Sequence, residues 1–165
     1  MADTINDTIN DTNTDDKMTK YRNIIVSQLC SDSRIVSILS NGNDETDGYD
    51  LVWNRIFPFE YVPDVTSSAS PYICFDIVAD DNSVNTFQNM SIYFFISTHY
   101  SISAQRSGMG LVCDELAHRV QLLFNDKLIS GVGKCKFISN HIYAPSDDFR
   151  GRVLRFDVRD FNYWV

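Results

Sequence analysis

Apolar and polar positions change their period several times along the chain, and each change marks an element. Tyr21, Ile24, Ile25, Gln28 and Leu29 follow the i, i+3, i+4 spacing of an amphipathic helix that opens near Met18. Ser31-Asp32-Ser33 interrupts it and offers an N-cap to a second, short helix carrying Ile35, Val36, Ile38 and Leu39. From Asn41 to Gly48 no apolar side chain occurs, which predicts a loop. Leu51 to Tyr61 reads as a strand that Pro58 limits to an edge or a bend, and a small-residue connection between Pro63 and Pro71 follows.

Strict alternation then takes over. Ile73, Phe75, Ile77 and Ala79 alternate with Tyr72, Cys74, Asp76 and Val78, while Ser91 to Tyr100 is apolar on both faces, as a strand in mid-sheet would be. Leu111, Val112, Leu116, Val120, Leu123 and Phe124 form one apolar helical face, with Asp114 and Glu115 near its positive end. Val132 to Tyr143 and Arg152 to Phe161 close the series as strands. In the last, Leu154, Phe156 and Val158 alternate with Arg155, Asp157 and Arg159. The expected fold is α+β, a small antiparallel or mixed sheet packed against helices in the order α(α)βββαββ, with two layers.

Composition divides the chain. Residues 3 to 13 repeat a DTIN-like unit and offer too little apolar surface to offset ordering entropy, so residues 1–20 read as a disordered acidic tail and 21–165 as a single α+β domain. A compact fold of 18.9 kDa hides about 70% of the surface of its unfolded chain, and 44% apolar content fills such a core without metal or disulfide staples. The longest apolar run, Ile92 to Ile96, falls far short of the roughly 20 residues that span a bilayer, and the N-terminus shows no secretory signal. A cytosol-like compartment is therefore expected. Cys30, Cys74, Cys113 and Cys135 stand singly in apolar segments and read as free buried thiols.

Charge narrows the functional classes. The net charge of -8 leaves no basic stripe for holding nucleic acid by wide phosphate neutralisation. It has parts: the tail carries five Asp and two Lys, and Asp44, Glu45, Asp47 and Asp50 gather in one loop. Arg150, Arg152, Arg155 and Arg159 form the one basic cluster, interspersed with Asp147, Asp148, Asp157 and Asp160, a pattern of salt-bridging. His99, His118 and His141 complete no metal-ligand spacing, and Gly108-Met109-Gly110 completes no phosphate-binding motif. Cys113 with His118 and Cys135 with His141 are conceivable nucleophilic pairs, although positions 113 and 118 diverge by about 140° on a helix. The carboxylate pairs Asp80-Asp81, Asp114-Glu115 and Asp147-Asp148 read as solvated strand ends and turns. No cofactor or metal is expected, nor is catalysis.

An N-terminal helix, an acidic loop, Asn54-Arg55-Ile56-Phe57-Pro58-Phe59, then the strand Pro71-Tyr72-Ile73-Cys74-Phe75-Asp76, a long strand, a Gly108-Met109-Gly110-led helix and a charged last strand follow one another. In that order and length, over residues 18 to 161, the chain resembles phage tail terminator and tail-completion proteins. The resemblance implies a small α+β subunit that forms a ring in the phage neck or at the top of the tail, joins head or portal to tail, and leaves a hole for DNA. The partners it implies are further copies of the chain, six or twelve to a ring, and neighbouring connector, portal or tail proteins. The place it implies is the virion, after assembly in the cytoplasm of a bacterial host. B-DNA presents about one charge per 1.7 Å, so a pore about 30 Å deep faces some 18 phosphates, which an acidic wall does not hold. On that reading Asp44, Glu45, Asp47 and Asp50 are candidates for the lumen, and Arg152, Arg155, Asp157 and Arg159 for contacts between subunits. A small hydrolase and a host-directed binding module are the rival classes. The DTIN tail and the length of the acidic loop depart from the family pattern.

Overall fold

A computed structural model describes residues 17–43, 45–63, 69–79, 87–104, 110–129 and 133–161, so residues 1–16 of the expected tail lie outside the described residues, while Lys17 to Lys20, read as tail, begin the first helix. Helix α1 (Lys17–Ser31) buries Tyr21, Ile25 and Leu29, three residues spaced by four that make one stripe. Asp32 ends it and begins α2 (Ser33–Leu39), its carboxylate accepting from the backbone N–H of Arg34 and Ile35 at 3.1 Å each. A 3-10 turn, Gly48–Leu51, leads to β1 (Ile56–Phe57). Of the strand expected between Leu51 and Tyr61 only these two residues join the sheet, and Val52 makes an isolated bridge to Ile56. Trp53 sits at φ 64 in a tight turn, and Pro58 ends the pairing.

The other elements fall close to their expected places. They are β2 (Pro71–Ala79), β3 (Phe87–His99), α3 (Val112–Phe124), a two-residue β4 (Leu128–Ile129), β5 (Gly133–Tyr143) and β6 (Phe149–Phe161). One mixed sheet has the order β1-β2-β3-β6-β5-β4, every pairing antiparallel except the parallel β1 and β2. The expected α+β architecture is therefore present, with β4 as an added strand. Ile73, Phe75, Met90, Ile92, Phe94, Ile96, Leu154, Phe156 and Val158 face the three helices and form the main core. Phe94 anchors it, with ring centroids 4.8 Å from Phe124 and 5.7 Å from Phe156.

Against the opposite face, the segment after β1 folds back over one end of the sheet and builds a second small core from Phe57, Tyr72, Cys74 and Phe149, with Tyr61 and Phe95 packed on it. Tyr61 stacks on Phe57 at 4.2 Å, and the Cys74 thiol donates to the Tyr61 carbonyl at 3.4 Å. This explains why β2 is buried on both faces near Tyr72 and Cys74 but half open from Asp76 onward. Gly151 permits a close approach of β3 and β6, since a Cβ there would collide with the Ile96 carbonyl.

Candidate functional site

The β6 charges divide between two faces because side chains alternate along a strand. Arg152 lies on the helical side and pairs with Asp114 of α3 at 2.6 Å. Arg155 and Asp157 lie on the open side and pair with each other at 2.9 Å. Asp157 also accepts from the Ser91 hydroxyl at 3.0 Å, and the Arg155 guanidinium stands 5.9 Å from the Tyr93 ring centroid. The Arg159 side chain lies outside the described residues. Arg152, Arg155 and Asp157 thus do not form one surface. Their charges are answered within the subunit.

The acidic loop is placed differently. Glu45, Asp47 and Asp50 are exposed, and Asp44 lies outside the described residues. Asp47 caps the 3-10 turn by accepting from Tyr49 N–H at 3.1 Å. Gly48 then packs so tightly on the end of α1 that a Cβ would meet the Cys30 carbonyl. Three residues past Asp50 the turn is locked by Arg55 N–H to the Leu51 carbonyl (2.7 Å) and Trp53 N–H to the Ile56 carbonyl (2.9 Å). The lock holds Trp53 outward, 64% exposed, with Phe59 at 5.9 Å. A bulky left-handed residue kept in solvent is unexplained by packing. Sequence reading passed over it as part of a strand.

At the other end of the sheet, β4 covers β5 only as far as Lys134, and Asn125 Oδ1 then accepts from Phe137 N–H at 3.0 Å. Beyond that point, among the described residues, no strand pairs with the outer edge of β5. Leu128 is 80% exposed beside Lys127 and across from Lys134, whereas Ile142, 78% exposed, lies at the far end of β5 across from Arg152. Lys134 makes a loose pair with Asp126 at 3.5 Å.

The conceivable nucleophiles are not assembled. A bulge between Phe137 and Ser139 shifts the β5 register, so Cys135 lies buried on the helical side while His141 is exposed on the other. Cys113 is buried and His118 exposed on α3. Burial pushes the Cys135 thiol up to about 12 and, with the Asp47 charge, the Cys30 thiol up to about 11. Burial, opposed by a hydrogen bond to Tyr61 and helped by the Glu60 charge, puts Cys74 at about 11. Cys113 is raised too, by burial first and the Asp114 charge second. All four cysteines are free and buried.

The Asp114-Glu115 pair is structural, since Glu115 binds Arg34 of α2 as Asp114 binds Arg152. Among the described residues, no three His, Cys, Asp or Glu gather as metal ligands, and no helix is long and apolar enough to cross a membrane. A cavity of about 410 Å³ opens between α2, the start of α3 and Pro71, with the Arg34–Glu115 pair on its wall.

A family model named YomW matches residues 32–158, from the N-cap of α2 to the buried Val158 of β6. No curated protein matches the sequence. The chain belongs to the YomW family, which is phage-related.

Proposed function

We propose that this YomW-family chain is a structural subunit of a phage particle, of the tail-terminator or neck-ring kind. Six or twelve copies form a ring that joins head or portal to tail and lets DNA pass through the centre without gripping it. The observation that carries this reading is the internal neutralisation of the basic strand: Arg152 is spent on Asp114 and Arg155 on Asp157. A chain that is acidic overall, with Arg152 and Arg155 so engaged, offers passing phosphates few sticking points. Family membership supports a phage setting, and the element order supports this class of ring subunit.

Negative-stain images of the purified full chain, with its detection in purified virions, test the reading. Rings with a central hole, and stoichiometric presence in particles, are expected. A chain that light scattering finds monomeric at high concentration, and that is absent from particles, overturns it.

A further inference from the structure

We infer that copies of this chain associate head to tail through opposite edges of the sheet, the Trp53 knob and acidic loop of one copy seating on the β4–β5 edge of the next. The inference rests on the ring reading for its second copy and adds where the copies meet. One edge presents Trp53 and Phe59, 64% and 42% exposed, directly after the loop that carries Glu45, Asp47 and Asp50. The other presents Leu128, 80% exposed, with Lys127 next to it, Lys134 across from it and Lys136 two residues along β5. The order β1-β2-β3-β6-β5-β4 puts Trp53, tied to β1 through Ile56, and Leu128 of β4 at opposite ends of the sheet, so Trp53 does not reach Leu128 of its own copy.

Neither edge complements itself. A two-fold axis through the first would set acid against acid, and through the second base against base. Bringing unlike edges together pairs carboxylates with ammonium groups and sets the exposed Trp53 ring against Leu128. Exposed large apolar groups rimmed by charge mark interaction surfaces, and a buried Trp is a frequent anchor of them. Such a contact is heterologous, and it closes into a ring when the rotation between copies allows. Glu45, Asp47 and Asp50 thereby move from the lumen to the boundary between copies. Arg152, Arg155 and Asp157 are released from it.

The test uses the full chain in sedimentation velocity over a concentration series. Lys134→Glu with Lys136→Glu gives a copy with two acidic edges, and Glu45→Lys with Asp50→Lys gives one with two basic edges. Each alone should need at least tenfold more protein for half-assembly than wild type. Their equimolar mixture should recover assembly, because unlike edges meet again. Trp53→Ser alters no charge and should weaken assembly as well, which provides a second reading should a reversed variant fail to fold by circular dichroism. Reversed variants that assemble like wild type, or a mixture as weak as its components, overturn the inference and leave the ring reading standing. A wild-type chain that is monomeric throughout overturns both.

Discussion

Trp53 and Asp32 show how one residue can be set against, or for, its own fold. At φ 64 a tryptophan carries backbone strain of about 1–3 kcal/mol, whereas glycine adopts that region freely. With its ring exposed, little packing would be lost on truncation. Trp53→Gly should therefore raise the unfolding free energy of the dilute chain by about 1 kcal/mol, read from urea midpoints, while weakening assembly. A loss of stability would show that the ring supports the turn. Asp32 is the opposite case. Burial pushes its carboxyl up, but hydrogen bonds from Arg119 and from the N–H groups of Ile35 and Arg34, with the Arg119 charge, outweigh burial and hold it below the ordinary 3.8. The folded state then favours the ionised form, so this stabilisation is full above the unfolded value and is lost as pH falls through the folded one. Asp32→Asn should lower stability at pH 7 and flatten its fall below about pH 4, measured by urea unfolding across pH. Equal acid slopes in both proteins would assign acid sensitivity to other carboxylates. The capping role of Asp32 was legible from Ser31-Asp32-Ser33, but its pairing with Arg119, 87 residues away, was not.

At the scale of elements, the sequence pattern located every long helix and strand because each buries one regular face. It missed β4 because two residues carry no period, and it overextended β1 because aromatic content resembles a strand even where a left-handed turn interrupts it. The faces of β6 were readable, since Arg152 shares parity with Leu154 and Phe156, and that parity already separated it from Arg155 and Asp157. The faces of β5 were not. Cys135 and His141 are an even number apart, yet the extra residue Ile138 puts them on opposite sides. Pairing runs from Phe137 opposite Phe156 directly to Ser139 opposite Arg155, so Ile138 has no partner position. Deleting Ile138 should leave every pair and every face in place and cost about 1 kcal/mol or less. Deleting Val153 from β6, which is paired on both sides by Phe95 and His141, shifts two ladders at once and should prevent folding. Circular dichroism and thermal melts of the two deletions decide the matter, and an unfolded Ile138 deletion would mean that the bulge sets the twist of the sheet.

For the whole molecule, charge acts at two ranges with opposite signs. Copies at -8 repel one another at a distance, whereas the acidic and basic edges attract on contact. The screening length is about 30 Å at 0.01 M salt, 10 Å at 0.1 M and 3 Å at 1 M, so added salt first removes the long repulsion and only later the edge attraction. Covering Trp53 and Phe59 with Leu128 is apolar and does not fade with salt. Self-association should therefore strengthen from 0.01 to about 0.1 M salt, weaken towards 1 M, and keep a remainder there. Tryptophan fluorescence reads this directly once Trp164, the other tryptophan, is replaced by Phe. Trp53 emission should move to shorter wavelength as concentration rises, following the assembled fraction at each salt. Emission that stays constant while scattering reports assembly would remove Trp53 from the contact, and affinity falling steadily from the lowest salt would mean that edge attraction outweighs the net charge at every distance.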